Sequence, residues 1–427
     1  MSLKSIRINY FRGIIALAIL SSFGSAKVRP RLLSPLPPAR QVVVALKPCS
    51  EDCLKELYAK GQVFSFLARY STEIKDHQLQ DNYAIINDWL NPKLATSQPQ
   101  QENAQNQEQS YKVALLVPKK VIGSYSDLST NAILAYLALK NHDFTFKVFD
   151  SQQEDPDNLK QTYQSIVQEG FPFVIALLTQ EGVQNLVAKT PLTLPTIIPT
   201  VNKHQLEKRM DLPSMLIFGG INFPSQVDML LELSQHKPLV VYDDDSFRGA
   251  MLSKSLKDLG ANVLYEDTIT FKKASTFGRE LVHQRKYFKD AVVFFNTSIV
   301  KTGLLLSQIG MLASRDRPLM YLSSQINFNL SMFMLTQPKD RKHLYITSAI
   351  SKTSPYLSQT ATLLNADLEY DWVSYASVDS LEHMLLRLNP NLERYFKEPM
   401  ENQQIIYTNT IYTPKYLGFS PLIPPTH

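Results

Sequence analysis

Cysteine is nearly absent from this chain of 427 residues, which has only Cys49 and Cys53. That count excludes a disulfide-rich scaffold. The two lie four residues apart, so the spacing is not the CxxC of redox proteins, and no histidine is close enough in sequence to complete a zinc site. What remains is a local disulfide across one helical turn, available in an oxidising compartment. Enzyme signatures are missing too. There is no Gly-x-Ser-x-Gly elbow, no His-Glu-x-x-His and no phosphate loop, and the eight histidines are scattered. Charge of one sign is scarce. The formal net charge is +5, and removing Lys4, Arg7 and Arg12 of the first segment leaves +2, too little to argue for nucleic acid. After residue 20 no apolar run is long enough to span a bilayer.

The first segment reads as a secretory signal. Lys4, Arg7 and Arg12 precede the apolar run GIIALAIL (13–20), and Gly24-Ser25-Ala26 offers small residues for cleavage before Lys27. An uncleaved anchor is the alternative. No cysteine follows the run, which counts against a lipid-anchored form. Residues 1–26 are therefore expected to be a signal peptide and the mature protein periplasmic. A Pro-rich lead-in follows (27–40), then a short strand, QVVVAL (41–46), and a small helical module ending near residue 95. Ser50 can cap its first helix, with Glu51 and Asp52 in the first turn. Two amphipathic stretches are predicted, one through Leu54, Leu57, Tyr58, Phe64 and Leu67, the other through Leu79, Tyr83, Ile86, Trp89 and Leu90. A Gln-rich linker (96–111) lacks the apolar side chains needed to order itself.

From residue 112 the chain alternates apolar runs with helix-length segments. KVALLVP (112–118), FTFKVFDS (144–151), FVIALLT (173–179), LPTIIPT (194–200) and MLIFGG (215–220) read as strands. PLVVYDDD (238–245), NVLYEDTI (262–269), AVVFFN (291–296), PLMYLSS (318–324) and HLYITSAIS (343–351) continue the rhythm, and 371–388 reads as a long helix. Continuous apolar strands separated by helices predict α/β architecture, with parallel sheets covered on both faces. QIIYTNTIYTP (404–414) carries strand-like alternation, with Tyr-Thr-Asn-Thr placed for a hairpin. Ligands in such sheets sit outside the carboxyl ends of the strands.

The order of these pieces resembles the type I periplasmic binding fold, that of the leucine/isoleucine/valine-binding protein family. VALLVP followed by IGSYSDL looks like the family's first strand, turn and helix. FDSQQEDPDNLKQTYQSIVQEG looks like its second strand, acidic loop and helix. VVYDDDSFRGAMLSKSLKDLGANVLYEDTI resembles the opening of the second lobe, and YDWVSYASVDSLEHML its late helix. The resemblance implies two α/β lobes joined by three crossings. Lobe one would take about 112–221 and 350–400, and lobe two about 222–349 and 401–427. It also implies a non-enzymatic protein that holds a small polar ligand between its lobes, for transport or sensing. The partner would be an inner-membrane permease, or an envelope protein if the fold serves instead as a scaffold in cell-wall synthesis. The penicillin-binding-protein activator lipoproteins use a related fold in that second way. No cofactor is implied.

On this resemblance the ligand contacts are Thr179, Gln180, Thr200 and Asn202 from lobe one, with Ser246, Phe247, Asn296 and Thr297 from lobe two. Phe247 stands where the family has an aromatic cover. The chain departs from the pattern at Lys119-Lys120, at Thr179-Gln180-Glu181-Gly182 and at Asn202-Lys203-His204. An amino-acid pocket also needs an acid for the ammonium group, for which Asp244, Asp245 and Glu181 are available. Asp243-Asp244-Asp245 reads as helix-capping acid and not as a metal site. The modular reading has a direct check. Limited proteolysis should cut the Gln-rich linker first and leave a folded fragment of about 36 kDa starting near residue 112, a mass scaled from domain length. Primary cleavage inside 238–296 would refute that boundary.

Overall fold

The computed structural model describes residues 49–71, 74–90, 110–140, 143–206, 210–416 and 418–422. The expected signal segment and lead-in, the strand expected at 41–46 and nearly all of the expected Gln-rich linker lie outside them. Tyr111 opens the first strand one residue before its expected start.

The amino-terminal module is three helices, not two: Glu51–Ala59, Val63–Arg69 and His77–Leu90. Gly61, at φ 64°, breaks the first stretch in a conformation that only glycine adopts freely. Ser50 caps the first helix by accepting from the Cys53 N–H. Cys49 and Cys53 are joined, with Cα atoms 5.6 Å apart. Leu54, Phe66, Leu79 and Ile86 form its small core.

The large unit holds two seven-stranded sheets. The first contains β1 (Tyr111–Val117), β2 (Phe144–Asp150), β3 (Val174–Ala176), β4 (Thr196–Ile198) and β5 (Leu216–Phe218). The second contains β6 (Leu239–Asp244), β7 (Val263–Ile269), β8 (Val292–Asn296), β9 (Tyr321–Ser323) and β10 (Leu344–Ser348). Both use one parallel order, β2-β1-β3-β4-β5 and β7-β6-β8-β9-β10. Alternate side chains reach opposite layers. Val113, Leu115 and Val117 of β1 join one core, while Ala114 and Leu116 join another. Leu239 and Val241 are separated in the same way from Val240 and Tyr242.

The carboxyl-terminal segment corrects the expected hairpin. β11 (Met400–Glu401) and β12 (Gln404–Ile405) add to the first sheet. β13 (Thr410–Lys415) runs antiparallel to β10 in the second, followed by β14 (Gly418–Pro421). Tyr-Thr-Asn-Thr is thus a crossing between lobes, and the lobe boundary falls after residue 405 and not at 400. The strand-like alternation serves two different sheets. The other crossings follow β5 and β10.

Buried amides tie the three crossings together. Gln226 donates to Asn409 Oδ1 (3.2 Å) in the last crossing and accepts from the Gln325 N–H (3.0 Å). Gln325 Oε1 accepts from the Ala349 N–H (2.6 Å) in the second crossing. At the first, Gly220 O accepts from Asn202 Nδ2 (2.8 Å) and Gln404 Nε2 (3.1 Å). A Cβ on Gly220 would lie 2.2 Å from the Val201 carbonyl carbon, so only glycine fits.

Helix Trp372–Leu388 is buried along most of its length beside helix Tyr125–Leu139. It carries Asp379, fully buried, with neither carboxylate oxygen hydrogen-bonded. Burial, then the charges of Glu398 and Glu382, hold this carboxyl well above the usual range. His383 lies 3.6 Å away, but burial lowers its pKa to about 4, so at neutral pH it is no counter-charge. The pKa of Asp379 therefore lies higher in the folded chain than in the unfolded one. Its contribution is complete at pH below the ordinary Asp range and is lost as pH rises toward the folded pKa, with a slope of about 1.4 kcal/mol per unit. Asp379→Asn should flatten that segment of a urea-midpoint-against-pH curve and stabilise the protein at neutral pH. An unchanged slope would show that Asp379 does not titrate this way.

Candidate functional site

The cleft forms where the carboxyl ends of the two sheets meet. Loops after β3 and β4 bring Leu178, Thr179, Gln180, Thr200 and Val201 to a cavity of about 190 Å³. The segment after β1 adds Ile122 and Tyr125, and the start of the long helix adds Trp372 and Val373. Across the gap, helix Phe247–Asp258 presents Phe247, Arg248 and Met251. Ile221 and Phe223 of the first crossing form the back wall. Most of this lining is apolar, and it comes from both lobes. A wider outer space of about 480 Å³ shares Gln180, Gln205, Phe247 and Met251 and is edged by His204, Lys254 and Asp258.

Local sequence explains the position of Phe247. Ser246 caps its helix by accepting from the Gly249 N–H. At Gly249 a Cβ would stand 2.6 Å from the Asp244 carbonyl oxygen, so the helix can start this close to the strand only with glycine there. Phe247 then projects at the first helical position, 76% exposed.

Thr179, Gln180, Thr200 and Phe247, expected from sequence to meet a ligand, all line the cavity. Asn202, Ser246, Asn296 and Thr297 do not. Asn202 caps a short helical turn and holds Gly220 O. Ser246 is the helix cap already described. Asn296 is buried and donates to Asp243 (3.0 Å), and Thr297 is buried against the Thr302 hydroxyl (2.7 Å). The three consecutive acids differ from expectation as well. None caps the helix through its side chain. Asp243 accepts from Ser253 and Asn296, and burial raises its carboxyl to about 6. Asp244 accepts from the Ser298 N–H (2.8 Å) and pairs with Lys301, which also pairs with Asp245. Among the described residues no metal-holding cluster is present.

Residues missed in the sequence include Tyr125, Gln205, Arg248, Met251 and Trp372. Two of them neighbour expected positions, Arg248 beside Phe247 and Gln205 in a capping box with Asn202. Gln205 also reaches Met251 Sδ at 3.7 Å, a contact between the lobes.

Glu154 was visible in the sequence only as part of the acidic loop after the second strand. From the loop after β2 it accepts from the Thr179 N–H (2.7 Å) and from the Thr179 hydroxyl. It lies against the first turn of helix Gln180–Lys189, where a carboxylate is favoured by the helix dipole. Gly182 makes room, since a Cβ there would be 2.4 Å from the Glu154 carboxyl carbon. Burial raises the Glu154 carboxyl, with the two Thr179 hydrogen bonds opposing that rise. Thr200 directs its hydroxyl to Leu178 O (2.5 Å). Both hydroxyl donors expected from lobe one are thus engaged within the protein. Glu154→Ala should lower stability by about 1.5–3 kcal/mol, the range for hydrogen bonds to a charged group. Denaturant titration measures the loss, and a change below about 0.5 kcal/mol would contradict this account of Glu154.

No protein-family model and no curated protein matches the chain. Solved structures do. The branched-chain amino acid transporter substrate-binding protein LivJ of Streptococcus pneumoniae, in complex with isoleucine, is similar at TM-score 0.52 and 14% identity, over 74% of this chain and 100% of its own. A solute-binding protein of a Rhodopseudomonas palustris ABC transporter, in complex with 4-hydroxybenzoate, gives 0.51 and 12% over 73% and 95%. A branched-chain amino acid ABC transporter protein of Thermus thermophilus, with bound valine, gives 0.53 and 12% over 74% and 96%. At these identities the likeness concerns the fold. Residues 111–421 form the two-lobe type I periplasmic-binding fold of the branched-chain amino acid substrate-binding proteins.

Proposed function

We propose that this is a periplasmic, non-enzymatic solute-binding protein that holds a small ligand between its lobes and presents it to an ABC permease or a sensor. The observation that carries this reading is the cavity itself, whose walls come from both sheets and from the crossing between them. A ligand that touches both lobes favours their closed arrangement, because it binds that arrangement more tightly than the open one. The similar structures with bound isoleucine, valine and 4-hydroxybenzoate support a ligand of that size. Thr179, Gln180, Thr200 and Phe247 are the contacts retained from the sequence reading. A second reading, an envelope scaffold acting through protein contacts, is favoured by one observation, the engagement of Thr179 and Thr200 within the protein.

Phe247 gives the test. It is exposed in the free protein, so Phe247→Ala should leave stability within about 0.5 kcal/mol. Loss of its cover over a bound apolar group should cost about 1–3 kcal/mol of binding, at least a fivefold weakening. Calorimetry with a panel of amino acids and small aliphatic and aromatic acids reads both. A panel with no binder, together with an envelope protein retained equally by wild type and variant, would favour the scaffold.

A further inference from the structure

The charges around the cleft say which ligand it accepts. Arg248 is the single charged side chain on the inner cavity wall. Among the described residues it has no carboxylate or hydrogen-bond partner. At the outer opening Lys254 faces Asp258 at 3.8 Å, so that pair cancels. No acid lines the inner cavity. The three acids available in the sequence for an ammonium group are placed elsewhere. Asp244 and Asp245 hold Lys301, and Glu181 lies exposed on its helix, outside the lining.

The second observation comes from the opposite wall. Glu154 already occupies the Thr179 N–H and hydroxyl, and its carboxylate is itself nine-tenths buried. An incoming carboxylate would find the Thr179 N–H and hydroxyl at lobe one already taken. On the lobe-two side it would meet an unpaired guanidinium, whose planar fork matches a carboxylate. An ammonium group has the reverse difficulty, since it would be desolvated beside Arg248 without a counter-charge.

Resting on the solute-binding reading above, we propose that the cleft selects a monoanion with an apolar body, a branched aliphatic or aromatic carboxylate without an amino group. Arg248 is the residue that neutralises it. The apolar body lies among Tyr125, Phe223, Met251 and Trp372, and the carboxylate points toward lobe two. Glu154, by holding the Thr179 donors, closes the lobe-one end to carboxylates.

Calorimetry at neutral pH with five probes tests this: leucine, 4-methylpentanoate, 4-methylpentanamide, 4-hydroxybenzoate and 4-hydroxybenzamide. Wild type should bind at least one of the two acids, at least tenfold more tightly than leucine. Arg248→Gln should weaken that acid at least tenfold while changing its neutral amide by less than about twofold, and Arg248→Lys should restore part of the difference, because lysine keeps the charge. Arg248 is exposed and unpartnered, so the melting temperatures of the variants should match wild type. Leucine binding as tightly as the acids would overturn this inference and leave the solute-binding reading standing. An equal loss for acid and amide in Arg248→Gln would do the same. Failure of all five probes to bind would overturn this inference, while the solute-binding reading yields only to the wider panel and envelope-protein retention described above.

Discussion

Everything in the large unit depends on how three chain crossings are held together, and amide side chains hold them. Gln226 is fully buried, and its carboxamide engages both Asn409 and the backbone of Gln325. A buried amide without partners is costly, so these groups accept only arrangements that satisfy them. The apolar core that runs from Val113 and Leu115 to Val241 and Phe294 is tolerant of direction by comparison. Burial supplies the cohesion, and the amides choose the geometry. That geometry turns the carboxyl ends of two sheets toward one another, which puts Leu178, Thr200 and Phe247 around one cavity.

The same division of labour explains the chemistry of the cleft. Polar side chains near it are mostly engaged in building its walls. Asn202 secures the first crossing, Ser246 starts a helix, and Asn296 and Thr297 lock the loop after β8. Asp244 and Asp245 fix Lys301, which anchors the helix Ile299–Ile309 beside that loop. What remains facing the cavity is an apolar surface with few free polar groups, and its character is set by Arg248 and by Glu154 behind Thr179.

Much of the architecture was legible because parallel strands covered on both faces must be apolar throughout, as in VALLV and LVVY, and because Pro, Gly and acid-rich turns separate them. The hairpin misreading at 404–414 has a physical cause. Alternation reports that a segment is extended and half-buried, but it does not report which sheet it joins. Gly61 was a visible break in the module that helical spacing alone passed over. At the site, strand ends located Thr179, Gln180, Thr200 and Phe247. Side-chain commitments were not legible, since the partner of Thr179 lies 25 residues away and that of Asn202 lies 18 away. A sequence names the loop, but folding decides whether its hydroxyls face a cavity or another residue.

The placement of β11 and β12 has a consequence for how the protein is made. They complete the first sheet, yet they are translated after the whole parallel core of the second. As the chain is made amino end first, its first sheet stays open at the β5 edge until β12 follows. Neither lobe can finish independently, because β13 adds to the other sheet a few residues later. The strands from β11 to β14 act as a seam sewn once the rest is in place. Pairings of such long sequence separation form slowly, so both sheets remain incomplete until this segment has docked.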